Sequence, residues 1–215
     1  STGQAPGNNS EVIVVPIAMF NDPFRGAPHK LVLCKGEDVN GIAVKGSNRH
    51  YAEDMFKNRM HEVPWYGIEQ EYTLFESDGK TPLGWPKNGF PAPQGPYYTS
   101  VGANNTKGRD LVDEHLHLCL EAGLNVEGIN AEVMMGQWEY QIFAKGAKSA
   151  GDQIWLARYL LERTAENYEI AIDLHPKPVE GDWNGSGMHA NFSNAAMRDE
   201  GGEALFKKIC EEFGQ

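Results

Sequence analysis

The chain has 215 residues, enough for one large domain or two small ones, and an apolar content ordinary for a globular protein. Its formal net charge of -11 argues against binding the phosphate backbone of nucleic acid and against attraction to anionic lipid. The three cysteines, Cys34, Cys119 and Cys210, are far apart and lack C-x-x-C spacing, which argues against a disulfide framework and a thiolate zinc site, and no apolar run approaches the length of a membrane span.

In chain order, residues 1–10 read as loop from their Gly, Asn and Pro content, and residues 11–15 as a strand. Asn21-Asp22-Pro23-Phe24-Arg25-Gly26 is a turn, and residues 30–35 form a second strand. Ser47 is placed to cap a helix reaching about residue 60. A strand follows from Pro64 to Glu76, rich in aromatic and β-branched residues and closed by an Asp78-Gly79 turn. Residues 77–99 are a long proline- and glycine-rich loop, of a length usually reserved for function or an interface.

Asp110 is expected to cap the next helix, which Gly123 ends. Strands over 128–133 and 138–143 come next, then the clearest helix of the chain, opening at Gly151-Asp152 and running to about residue 168. Short strands over 170–174 and 188–193 and a helix over 202–213 complete the chain. This irregular mixture predicts an α+β fold with a largely antiparallel sheet. The termini, Ser1 and Gln215, read as the ends of a piece of a longer protein.

The chemistry centres on Glu69-Gln70-Glu71 in the Pro64–Glu76 strand. Alternation puts both acids on one face, and we expect Tyr66, Ile68, Tyr72 and Leu74 to surround them with apolar surface. Two carboxylates close together on a buried face repel each other and are costly to desolvate, and a multivalent cation would remove both costs. A second acidic pair is Glu132 and Glu139. A two-residue loop at Met135-Gly136 would pair Met134 with Gln137 and set Glu132 opposite Glu139, where like charges destabilise a hairpin.

The third element is Asp182-Trp183-Asn184-Gly185-Ser186-Gly187-Met188-His189-Ala190-Asn191-Phe192-Ser193. Its glycines permit close backbone approach, and His189, Asn191 and Ser193 share one strand face. Carboxylates with one imidazole suit a hard divalent cation, Mg²⁺ or Mn²⁺. The residues themselves leave phosphoryl transfer and metal-assisted hydrolysis as competing reaction classes. No phosphate-binding loop of the G-x-x-x-x-G-K-[ST] type is present.

Taken together, Trp65-Tyr66-Gly67-Ile68-Glu69-Gln70-Glu71-Tyr72, Asn130-Ala131-Glu132-Val133, Gly136-Gln137-Trp138-Glu139, Lys177-Pro178 and Asn184-Gly185-Ser186-Gly187-Met188-His189 resemble glutamine synthetase of the eukaryotic type, in order and across the chain. The resemblance implies a curved, largely antiparallel sheet with flanking helices. Residues 1–10 would end an N-terminal β-grasp domain or linker, and 11–215 would be a catalytic domain truncated at its C-terminal side. One metal would be held by Glu69 and His189, with a further acid beyond this chain, and a second by Glu71, Glu132 and Glu139, for two or three ions per site. ATP would contact Trp65, the stretch from Glu139 to Ala144, Asn191 and Ser193. L-Glutamate would contact Trp183, Asn184 and Gly185.

The implied reaction joins ammonia to glutamate through γ-glutamyl phosphate, in a homo-oligomeric double-ring decamer of the cytoplasm or plastid with active sites between subunits. A γ-glutamyl-amine ligase and a non-catalytic assembly protein are the alternatives within the fold. This chain departs from the family pattern at Phe143-Ala144-Lys145, at Met135 and at Asn104-Asn105.

Overall fold

The computed structural model describes residues 11–199 and 202–214. The expected loop or linker at 1–10 lies outside them. The sheet that organises the molecule is built on β3 (Trp65–Phe75), the longest strand. On one side β3 pairs with β5 (Gln137–Lys145), which pairs in turn with β4 (Val126–Ala131). The other side of β3 is shared by two short strands: β6 (Ala171–Asp173) pairs with its end and β7 (Met188–Ser193) with its beginning. Every pairing is antiparallel, as the α+β expectation requires. A separate hairpin, β1 (Ile13–Asn21) and β2 (Lys30–Glu37), precedes it, turning at the Asp22 to Gly26 segment.

One face of the sheet is the core. Ile68, Tyr72 and Leu74 of β3 and Trp138, Tyr140 and Ile142 of β5 point there, all under one-tenth exposed. Helices α2 (Arg109–Ala122) and α3 (Ala147–Tyr168) cover them with Leu111, Val112, Cys119, Ala157, Leu160 and Leu161. The apolar row therefore lies on the face opposite Glu69 and Glu71. Strict alternation demands this, since the apolar positions are even and the acids odd, so the expectation that they share a face is corrected. Trp138 is 1% exposed, donates its Nε1–H to Lys107 O at 2.8 Å and carries the Arg109 guanidinium over its ring, so truncating it to alanine is expected to cost about 3–5 kcal/mol.

Helix boundaries differ from expectation in instructive ways. α2 is capped by Gly108, not Asp110, which lies inside the first turn. Gly108 has φ +81 and packs so close to Leu74 that an added Cβ would sit 2.2 Å from its Cδ1, so only glycine fits there. α3 begins at Ala147, before the expected Gly151-Asp152, because β5 hands over directly through Gly146. α1 (Asn48–Phe56) follows Ser47 but stops before a 3-10 turn at Met60–Glu62, and the Ser47 side chain makes no cap bond. A single-turn helix α4 (Ala195–Arg198), not expected, precedes α5 (Gly202–Phe213).

The long loop between β3 and α2 has no regular element, yet it is not loose. Its Trp85 and Tyr97 form a second small core with Met134 and Met135, and the Trp85 Nε1–H donates to Met135 O at 3.0 Å. That packing sets the geometry of the β4–β5 connection.

Candidate metal centre

The face of the sheet away from the core is polar. Along β3 it presents Trp65, Glu69, Glu71 and Thr73. Opposite them on β5 stand Lys145, Gln141, Glu139 and Gln137, and on β7 Ser193 and His189. Glu71 and Glu139 are direct cross-strand partners, as are Glu69 and His189. Antiparallel partners have Cβ atoms about 4.5–5.5 Å apart. Side chains on such pairs therefore meet.

The β4–β5 register differs from the expected one. Asn130, not Glu132, lies opposite Glu139, and the Glu132 N–H bonds Gln137 O at 2.9 Å. The connection is thus the four residues Val133 to Gly136. Burial of Met134 and Met135 under Trp85 and Tyr97 favours this wider loop, and Gly136, at φ +87, has no room for a Cβ beside Leu83 O. Glu132 still shares the face, being two residues from Asn130. One oxygen each of Glu71, Glu132 and Glu139 lies within 4.8 Å of the others. Among the described residues no Lys or Arg forms an ion pair with any of the three.

Each carboxylate is aimed by a neighbour. Gly187 N–H donates to Glu71 Oε2 at 2.7 Å. The Asn130 amide donates to Glu132 Oε1 at 3.0 Å, and Val133 N–H to Oε2 at 3.1 Å. The Gln141 amide donates to Glu139 and, at 2.7 Å, to Asn130 Oδ1. Burial raises the carboxyls of Glu132 and Glu139 above their ordinary values, and the neighbouring carboxylates push the same way. Buried, mutually repelling oxygens without a basic partner are the donor set a hard divalent cation fits.

Glu69 and His189 meet nearby, with Glu69 Oε2 3.4 Å from His189 Nδ1, and the Asn191 amide donates to the other Glu69 oxygen. This pair is more open: the His189 side chain is 70% exposed and Glu69 33%. Beyond it, Gly67, Glu69, Gln141, Phe143 and Asn191 help line a groove of 440 Å³. Trp65 stands at the same end, edge-on to Phe143, with Lys145 Nζ 4.9 Å and the Arg198 guanidinium 3.9 Å from its ring centre. Arg198 also donates to Ser193 Oγ and Val63 O, both at 2.8 Å. Ala144 turns its methyl to the core face, being paired with Tyr66 and 3% exposed.

At the other end of the face lies the loop of Trp183, Asn184 and Gly185. Asn184 N–H donates to Gln94 Oε1 at 2.7 Å, and Trp183 packs on Trp85 and Phe90 with ring centres 4.6 and 5.8 Å apart. The acids and the histidine were readable from sequence. The supporting Asn130 and Gln141 were not, although i, i+2 spacing from Glu132 and Glu139 does place both on the same face.

The family model described as glutamine synthetase, catalytic domain, matches residues 48–212. The chain belongs to the glutamine synthetase family. It is 51% identical over 216 residues to glutamine synthetase cytosolic isozyme 1-1 of Arabidopsis thaliana. It is 51% identical over 217 residues to a cytosolic isozyme of Medicago sativa and to root isozyme 1 of Zea mays. Each alignment covers all of this chain and 61% of the relative, so the chain spans about three-fifths of the length of these glutamine synthetases. No helix among the described residues is long and apolar enough to cross a membrane.

Proposed function

We propose that the chain is the central part of the catalytic domain of an ATP-dependent glutamate–ammonia ligase. The reaction joins ammonia to L-glutamate and yields glutamine, ADP and phosphate through γ-glutamyl phosphate. The observation that carries this reading is the convergence of Glu71, Glu132 and Glu139 on one point, beside the Glu69–His189 pair, in a chain of this family. In the same reading residues 1–10 end an N-terminal domain or linker and 11–215 are catalytic domain, with further residues completing both ends.

Glu71, Glu132 and Glu139 would hold one Mg²⁺ or Mn²⁺, and Glu69 and His189 would begin a second site. A cation bound there would neutralise phosphate oxygens and offset the charge that develops in phosphoryl transfer. The chain's own groups do the positioning. Gly187 N–H and the Asn130 and Gln141 amides keep the carboxylate oxygens aimed inward. At the nucleotide end Asn191 lines the groove, and Trp65 stands beyond it with its strand partner Ser193 and with Lys145 against its ring. Trp183, Asn184 and Gly185 stand at the amino-acid end, so the carboxylates lie between the two substrates. Ala144 would contribute to the nucleotide site through its backbone, since its methyl faces the core.

The names of the Arabidopsis and Medicago relatives support a cytosolic setting, with the plastid as the other compartment in which the reading holds. Assembly as a homo-oligomeric double ring belongs to the same proposal. The test is phosphate and glutamine release by the protein extended to the full length of its relatives. Release should require glutamate and ammonia together, and Glu139→Gln should abolish it. The 215-residue chain alone should show little. Phosphate release indifferent to glutamate would instead establish an ATP hydrolase and overturn the reading.

A further inference from the structure

The loop of residues 183–187 is fastened to the metal-ligating strands by two buried carboxamides that the proposed reaction does not use. Gln137 is 1% exposed and lies on the site face two residues before Glu139. One loop satisfies both ends of its side chain. Asn184 Nδ2 donates to Gln137 Oε1 at 2.9 Å, and Gln137 Nε2 donates to Gly185 O at 2.7 Å.

Gln70 is 3% exposed and sits between Glu69 and Glu71 with its side chain on the core face. Arg158 of α3 donates to Gln70 Oε1 through both Nε, at 2.9 Å, and Nη2. That fixes which end of the amide is oxygen. Its Nε2 is left to donate to Glu71 O at 2.7 Å and Gly187 O at 3.3 Å. Between the two glutamines the loop backbone touches a metal ligand itself. Gly187 N–H donates to Glu71 Oε2 at 2.7 Å, and Glu71 N–H donates to Gly187 O at 3.0 Å.

We propose that Gln137 and Gln70 are positioning residues that couple the 183–187 loop to the Glu71–Glu132–Glu139 cluster, so that a divalent cation on the cluster orders the loop and loosening the loop weakens the cation. The proposal rests on the reading of that cluster as a cation site. Its physical basis is reciprocity: a contact made better in one state links two equilibria in both directions. The Gly187–Glu71 bond orients a ligand oxygen, and supporting bonds of this kind are worth roughly 10–100-fold in metal affinity. Gln137 is buried with both ends of its amide bonded to the loop, so displacing the loop breaks both bonds together. Trp183, packed on Trp85 and Phe90, reports on the loop's position.

The test uses the 215-residue chain labelled with 5-fluorotryptophan and titrated with Mg²⁺ while ¹⁹F spectra are recorded, the Trp183 resonance being identified by its absence in Trp183→Phe. Mn²⁺ affinity is measured in parallel by calorimetry. The wild type should bind Mn²⁺ by calorimetry and, on addition of diamagnetic Mg²⁺, move or sharpen the Trp183 resonance. Gln137→Met, close in volume but without either hydrogen bond, should weaken Mn²⁺ about tenfold and abolish the Trp183 response, with the Trp138 resonance in place as a check on folding. Should Gln137→Met fail to fold, Asn184→Ala removes one of the two bonds from the loop side and should give a smaller loss of the same sign. A wild type that binds no Mn²⁺ refutes the cation site itself. A wild type that binds, with variants that bind equally and respond equally at Trp183, refutes the coupling and leaves the cation site standing.

Discussion

The two groups of candidate ligands sit two residues apart on β3, yet they are built differently. Glu71 faces Glu139 inside the sheet, with Glu132 closing the third side, and Glu132 and Glu139 are 7% and 6% exposed. Glu69 faces His189 on β7, a strand that pairs on only one side, and the imidazole is largely in solvent. The cluster lies on the β4–β5 side of β3, inside the sheet, whereas the pair reaches out to the edge strand β7. Strand position thus sets how buried each group of candidate ligands is.

The largest expected effect separates the two groups. Glu139→Gln should lower Mn²⁺ affinity by more than the roughly 10–100-fold that follows loss of a mere supporting partner. Without metal the same change should stabilise the fold by about 1–3 kcal/mol, because it removes a desolvated charge that has no basic partner. Calorimetry and urea unfolding check the two halves. A loss of stability in the metal-free protein would mean the carboxylate is already compensated.

The second effect is its pH dependence. The folded-state carboxyls of Glu132 and Glu139 lie above their ordinary values, chiefly from burial. The folded state then binds more protons than the unfolded one between the two values, so these groups make the metal-free fold less stable as pH rises through that window. Acidification should restore that stability and, because protons compete for the same oxygens, weaken Mn²⁺. The difference in unfolding free energy between wild type and Glu132→Gln, followed between about pH 5 and pH 7.5, isolates the contribution from other acids. A flat difference would contradict the burial argument.

Weaker effects belong to the open pair. His189→Ala should leave Mn²⁺ affinity at the closed cluster within about twofold while removing any second, weaker binding event, as seen by calorimetric stoichiometry. Glu69→Gln should change stability by no more than about 0.5 kcal/mol, since a partly exposed pair contributes little. A larger loss would show that Glu69 also supports the sheet.

Local pattern made much of this legible. The span of β3, the shared face of Glu69 and Glu71, the amphipathic stripe of α3 and the glycine after α2 all follow from period and cap chemistry. Non-local packing decided the β4–β5 register and the cap of α2. The register of β4 on β5 depends on Met134 and Met135 being drawn under Trp85 and Tyr97, from a loop some fifty residues earlier. The cap of α2 depends on the contact of Gly108 with Leu74. The side of the apolar row is local after all: alternation sets the even positions Tyr66, Ile68, Tyr72 and Leu74 opposite the odd positions Glu69 and Glu71. Gln70 and Gln137 read as ordinary strand residues until Arg158 and the 183–187 loop are brought to them.

The most direct test of the closed cluster is calorimetric titration of the 215-residue chain with Mn²⁺ near neutral pH, in wild type and in Glu71→Gln, Glu132→Gln and Glu139→Gln. One saturable tight site in the wild type, lost in all three variants, is the predicted result. No saturable binding, or a tight site that survives removal of any one of these carboxylates, would contradict it.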